Sequence, residues 1–174
     1  MLMWFPSPYP DELFYSVLCR YYLSSGIKEH YLVKKQLFGT KAGVKMATLY
    51  PNAAVHAVLS QLPEGVFDGR DMILHHTPFL YYARMHPQQE REVLLDDLLQ
   101  GRSKTPTHLW RTFPKGDYAL RYCPLCIQED TKIYGEPYYH VEHQIPLSSV
   151  CVRHRCRLKQ ITIDKSGRTP FLRL

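Results

Sequence analysis

Two short cysteine-containing turns constrain this 174-residue chain more than any other feature. Cys123-Pro124-Leu125-Cys126 is followed, after 24 intervening residues, by Cys151-Val152-Arg153-His154. Two residues between donors is the spacing of a tight knuckle. It turns both side chains to one side and lets backbone N–H groups support the thiolates. Two knuckles supply four soft or borderline donors, a set suited to tetrahedral Zn²⁺. Three thiolates and one imidazole fill that coordination sphere and leave no position for water, so one structural Zn²⁺ is expected. Binding of this kind supplies on the order of 10 kcal/mol, enough to fold a short segment that cannot build a large core of its own.

Cys156 and His143 compete for the fourth position. His154 is preferred because it completes a C-x-x-H knuckle, whereas Cys151 and Cys156 leave four residues between them. His140 and His143 read as strand-surface or supporting histidines. The cysteine count is odd, at five, and four of the five fall within residues 123–156. That clustering fits a metal site in a reducing compartment better than a disulfide framework. Cys19 stands alone in an apolar helical pattern and reads as a core thiol.

The first half is helical by periodicity. Pro10, Asp11 and Glu12 read as a helix start, with a proline in the first turn and acids at the positive end of the dipole. Leu13, Phe14, Val17, Leu18, Tyr21 and Tyr22 then form one apolar face. Ser24-Ser25-Gly26 stops this helix. A second is expected from Lys28 to Phe38, stopped by Gly39. Asn52 caps a third, Ala53 to Leu62. One or two short helices are expected over 69–86, interrupted by Pro78. Pro87 opens the clearest helix and Gly101 closes it, with Val93, Leu94, Leu98 and Leu99 on one side. Residues 102–117 read as a packed connector. From Tyr118 onward the runs ALRY, PYYHVEHQI and RLKQITI are strand-like. The expected architecture is a mostly α region over 1–117, with its first two helices compatible with a helix-turn-helix or a plain hairpin. A small zinc-ribbon-like α+β module with a basic tail follows over 118–174.

No apolar run approaches the roughly 20 residues of a membrane span. The opening MLMWFPSPYPDE lacks the basic and long apolar regions of a signal peptide, so a bacterial cytoplasmic location is expected and a membrane partner is not. HExxH, G-x-S-x-G and a phosphate-binding loop are all missing from the sequence. His140-Val141-Glu142 matches the H-x-E of zinc deaminases, but follows the first knuckle where those enzymes place it before. His75-His76 reads as a helix terminus and Asp96-Asp97 as a solvated face. No catalytic set emerges, and the chain is expected not to be an enzyme.

The net charge is +6, which permits a nucleic-acid partner. Lys28, Lys34 and Lys35 surround the second helix. They suit phosphate contact better than base readout, which favours arginine and asparagine. In the tail, Arg153, Arg155, Arg157 and Lys159 alternate. On a strand the three arginines share one face and could grip phosphates; a solvated charge run is the competing reading.

The ordered series FPSPYPDELFYSVLCRYYLSSG, QLFG and RYCPLCIQEDTKIYGEPYYHVEHQIPLSSVCVRH resembles the TnsD/TniQ family of transposition proteins. Its landmarks here are the FPxPYxDEL opening, Arg121-Tyr122-Cys123, Gly135-Glu136-Pro137-Tyr138-Tyr139, Ile145-Pro146 and the second knuckle. Tyr139 stands where many relatives carry tryptophan. The resemblance implies a target-site selector of a heteromeric transposon. It binds double-stranded DNA or docks on an RNA-guided effector complex, and it recruits the AAA+ ATPase TnsC. TnsD-type relatives are much longer, so the chain is expected to be an N-terminal region. Trp4, Phe5 and Tyr9 are candidate docking anchors, since aromatic residues dominate interface hot spots; covering the chain's own core is the competing role. The alternative function is a zinc-containing DNA-binding module of a transcription regulator.

Overall fold

The computed structural model describes residues 2–39, 53–63, 65–102 and 119–162. Its helical part is built from α1 (Phe14–Ser25), α2 (His30–Phe38), α3 (Ala53–Leu59), α4 (Gly69–His75), α5 (Phe79–Ala83) and α6 (Gln88–Leu99). The second part follows as β1 (Ala119–Tyr122), α7 (Pro124–Tyr134), a 3-10 turn over Glu142–Gln144 and β2 (Lys159–Thr162). No helix among the described residues is long and apolar enough to cross a membrane.

Helix α1 is buried on most of its surface, through Phe14, Tyr15, Val17, Leu18, Cys19 and Tyr21. It begins later than the acidic start implied. Asp11 adopts φ 57°, Glu12 pairs in a bridge with His140, and the first turn holds no acid. The first orphan N–H groups are instead capped by distant carbonyls. Leu13 N–H donates to Tyr139 O at 2.7 Å and Phe14 N–H to His76 O at 2.6 Å. Asp11 and Glu12 are thereby released from capping and become tertiary partners.

Helix α2 lies next, buried through Val33, Leu37 and Phe38 and ended by Gly39. The Asn52 cap expected for α3 lies outside the described residues, and α3 ends at Leu59. Residues 69–86 form the two short helices α4 and α5, with Asp68 capping the first through Arg70 N–H at 2.8 Å. His76 follows α4 as its C-cap. In α6 the buried residues are Leu94, Leu95 and Leu98, whereas Val93 is 53% exposed. Leu94 and Leu98 lie on one stripe with Leu95 beside them. At ~100° per residue Val93 falls on the opposite flank, which corrects the face expected from the sequence.

Strands β1 and β2 pair antiparallel, from Ala119 opposite Thr162 to Tyr122 opposite Lys159. The expected strand PYYHVEHQI does not form. After Gly135, which ends α7 at φ 82°, the chain sends Tyr138, Tyr139 and His140 inward consecutively. It then turns through the 3-10 element. Gln144 does the pairing in place of a strand backbone. Its Oε1 accepts from Arg121 N–H at 3.0 Å and its Nε2 donates to Arg121 O at 2.8 Å and to His140 O at 2.9 Å. Helix α7 is an addition to the sequence reading.

One apolar core runs through both parts. Leu120, Tyr139 and Val141 belong to the same buried cluster as Val17, Leu37, Ile73 and Leu94. A smaller cluster consists of Cys123, Cys126 and Cys151, flanked by Cys156 and Leu158. The metal-type donors therefore sit beside the main core, on a platform that the core supports.

Candidate metal centre

Strand β1 delivers Cys123 and α7 delivers Cys126. Cys123 is the N-cap of α7, with Pro124 at the first helical position, where a missing N–H costs nothing. Cys123 Sγ accepts the Cys126 N–H at 3.5 Å, and Cys151 Sγ accepts the His154 N–H at 3.5 Å. These are the supporting bonds a knuckle requires. The second turn is closed by Cys151 N–H to Cys156 O at 2.9 Å and Arg155 N–H to Cys151 O at 2.8 Å, with Arg155 at φ 52°.

The donor atoms of Cys123, Cys126, Cys151 and His154 all lie within 4.8 Å of one another. His154 Nδ1 is 3.5 Å from Cys123 Sγ, 3.3 Å from Cys126 Sγ and 3.7 Å from Cys151 Sγ, and the Cys126 and Cys151 sulfurs are 3.8 Å apart. A tetrahedral zinc with sulfur at about 2.3 Å and nitrogen at about 2.05 Å sets sulfur–sulfur edges of about 3.8 Å and sulfur–nitrogen edges of about 3.6 Å. The residues present fit such an ion, and the Cys₃His cluster could hold it. The three cysteines are buried. Burial raises the Cys123 thiol, but the N–H groups of Cys126 and Leu125 and the Cys156 thiol outweigh it and bring the group below its ordinary value. Cys126 is pushed far up by burial and by the sulfurs of Cys123 and Cys151, a crowding that a cation would relieve.

His154 carries a further signature of a ligand. With Nδ1 facing the three sulfurs, its Nε2 lies 3.0 Å from Glu129 Oε1 on α7. A ligating histidine typically donates its other ring N–H to a carboxylate, which fixes the tautomer and raises basicity. Glu129 was missed by the sequence reading because α7 was missed. Once Cys126 is placed on a helix, i+3 puts Glu129 next to the centre. Of the competitors, Cys156 Sγ touches Cys123 Sγ at 3.2 Å but stands outside the four-donor group, and His143, 3.9 Å from Cys126 Sγ, groups instead with Glu142 and Cys151. Burial, with His140 adding to it, holds His143 down at about 4.

The chain's opening meets the same region through a buried ion cluster. Arg20 Nη1 lies 2.9 Å from Glu12 Oε2 and Arg20 Nε 2.7 Å from Glu136 Oε1. Arg20 also donates to Ser7 O at 3.1 Å and stacks 3.7 Å above the Tyr9 ring. Tyr9 in turn packs on Tyr134 and Tyr138 and donates its hydroxyl to Glu136 at 3.1 Å. Glu12 is fully buried, and desolvation pushes its carboxyl up to about 7 despite the Tyr9 N–H and Arg20. The opening motif and the Gly135-Glu136 step are thus two halves of one clamp.

The other candidate residues are dispersed. Phe5 is buried in the core and Tyr9 belongs to the clamp, so neither is a free docking anchor; Trp4 is 52% exposed and stacked on Tyr21. Lys28 and Lys35 are exposed and Lys34 is half-buried. Arg153, Arg155, Arg157 and Lys159 are all exposed, but the arginines do not share a strand face. They span the knuckle turn, β2 starts only at Lys159, and Arg157 forms an isolated bridge with Val150. The geometry of the second knuckle, with Arg155 left-handed, breaks the alternation. Arg153 also pairs with Glu129 at 3.4 Å.

The TniQ family model matches residues 3–158, spanning the clamp and the metal centre together. The chain belongs to the TniQ family. Among curated proteins, "Transposon Tn7 transposition protein TnsD" of Escherichia coli is 26% identical over 155 residues, which is 86% of this chain and 30% of that protein. This TniQ chain therefore spans less than a third of the length of that relative.

Proposed function

We propose that this chain is the target-selecting adaptor region of a transposition machinery, working in the bacterial cytoplasm. It holds double-stranded DNA through a basic rim and recruits an AAA+ ATPase of the TnsC kind, without chemistry of its own. The observation that carries this reading is the family match across residues 3–158. It takes in both the opening clamp and the Cys₃His cluster.

The ion in this reading is one Zn²⁺, held by Cys123, Cys126, Cys151 and His154. Four protein donors close the site to water, so its contribution is to folding. Arg153, Arg155, Arg157 and Lys159 rise from the second knuckle and the start of β2 next to this rigid centre. Fixed in that way they suit phosphate contact, which positions a protein on DNA without reading its sequence. The outward face of α2 offers Tyr31, Leu32 and Lys35, and Trp4, stacked on Tyr21, keeps an exposed face at the opening.

The test combines two assays on the metal-loaded chain: gel shift with duplex DNA, and pull-down of purified TnsC as free protein and as an ATP-loaded filament on DNA. Binding to TnsC, strengthened by DNA, is the expected outcome. DNA binding with no TnsC capture in either form would make the chain a DNA-binding module of a regulator instead.

A further inference from the structure

A second group of metal-type donors lies outside the Cys₃His centre. Asp11, from the chain's opening, and His140 and Glu142, beside the 3-10 turn, bring one donor atom each within 4.8 Å of one another. We propose that Asp11, His140 and Glu142 form a second, weaker site for a zinc-sized divalent cation.

The orientation of His140 is the first argument. The residue is 2% exposed, and its Nε2 lies 2.9 Å from Oδ2 of Asp130, which is equally buried. Nε2 faces that carboxylate, and Nδ1 faces the cluster, 3.5 Å from Asp11 Oδ2. This is the same carboxylate–imidazole arrangement that Glu129 makes with His154, repeated from the adjacent position on α7. It is the usual support of a metal-bound histidine.

One edge of the group has the length such an ion needs, and the others lie within 4.8 Å. His140 Nδ1 lies 3.5 Å from Asp11 Oδ2. A tetrahedral zinc with nitrogen at about 2.05 Å and oxygen at about 2.1 Å sets an edge of about 3.4 Å.

Glu142 supplies an independent sign. Its Oε1 is sealed from solvent and has no hydrogen-bond partner among the described residues; it lies 3.5 Å from His143 Nε2, and the residue also groups with His143 and Cys151. A buried carboxylate oxygen without a donor is costly and gains from a cation. The carboxylates of Asp11 and Asp130 flank the His140 ring at 3.5 and 2.9 Å, Glu142 lies beside them, and the His143 ring stands 4.9 Å away.

The cluster is also held in place before binding. Asp11 O accepts Val141 N–H at 2.8 Å, and Asp11 Oδ2 accepts Glu142 N–H at 3.3 Å. Asp11 is 40% exposed on its side chain, which leaves a path for the ion and room for a water as fourth ligand. One nitrogen and two oxygens suit Zn²⁺ or Mn²⁺, and the bound ion would tie the opening segment to the second half of the chain.

The test is equilibrium dialysis of the folded chain against Zn²⁺, followed by elemental analysis. Two equivalents are expected in the wild type. The double variant Asp11→Asn/Glu142→Gln should retain one, and Asp130→Asn should weaken the second equivalent by about tenfold or more. Circular dichroism and the retained first equivalent report folding of the variants. Mn²⁺ added to wild type that holds a single equivalent of zinc, in the Cys₃His centre, gives a readout that needs no variant. Paramagnetic broadening should centre on Asp11, His140 and Val141. A single equivalent in the wild type, a second equivalent that survives the double variant, or broadening centred elsewhere would each overturn the proposal.

Discussion

Replacing Glu12 with glutamine tests whether the buried ion cluster stabilises the fold or burdens it. Glu12 is fully buried, and its carboxyl moves from an ordinary 4.5 to about 7. A carboxyl raised in the folded state favours folding only while it is protonated. Its contribution is intact below 4.5 and is lost as pH rises through 7. At about 1.36 kcal/mol per decade the whole loss is about 3 kcal/mol, of which about 2.5 kcal/mol falls between pH 5 and pH 8. The Arg20 pair does not offset the desolvation, a common outcome for buried ion pairs. Urea unfolding of wild type and Glu12→Gln, both metal-loaded, should be compared at each pH, so that every other titrating group cancels. The difference in unfolding free energy should move by about 2.5 kcal/mol in the variant's favour from pH 5 to pH 8, equivalent to about 5–10 °C in Tm for a chain of this size. A difference that does not change with pH, or one that moves in the wild type's favour, would refute this. It would mean that Arg20 holds Glu12 ionised at a net gain.

Three further outcomes follow from the geometry. The Tyr139 hydroxyl is buried without a hydrogen-bond partner among the described residues, so Tyr139→Phe should stabilise the fold by about 1 kcal/mol in chemical denaturation; destabilisation would reveal a partner. Glu129→Gln should weaken metal retention at the Cys₃His centre by about tenfold in chelator competition while leaving the fold intact. Reversing Arg153, Arg155 and Arg157 together should flatten the dependence of log K on log salt for duplex DNA by up to about 3, and an unchanged slope would assign them to solvent or to a protein partner.

The Cys₃His cluster was legible because its members come from two short local turns. Two C-x-x-C/H turns name their own geometry, and the structure brings Cys123, Cys126, Cys151 and His154 together in a cluster that could hold an ion. Most helices of the first half were legible for a similar reason, since apolar residues at helical spacing carry the signal whatever lies across from them. The sequence reading failed where side chains answer distant partners. Asp11 and Glu12 look like helix-start acids, yet they serve His140 and Arg20, and carbonyls of Tyr139 and His76 do the capping. The run from Pro137 to Ile145 has strand composition, but consecutive aromatic burial and the Gln144 side chain replace backbone pairing. Helix α7 was readable, from Pro124 at its start and Gly135 at its end, and overlooking it concealed Glu129 and Asp130. The arginines after Cys151 alternate in sequence only, because the knuckle imposes its own turn on them.

The centre on which this account turns can be measured directly. The chain, prepared with a single equivalent of zinc, is examined by X-ray absorption at the zinc edge. Three sulfurs at about 2.3 Å and one nitrogen at about 2.05 Å are predicted, with one sulfur lost in Cys151→Ser and the nitrogen lost in His154→Ser. A four-sulfur shell, which would bring Cys156 in place of His154, or an oxygen-bearing shell open to water would contradict it.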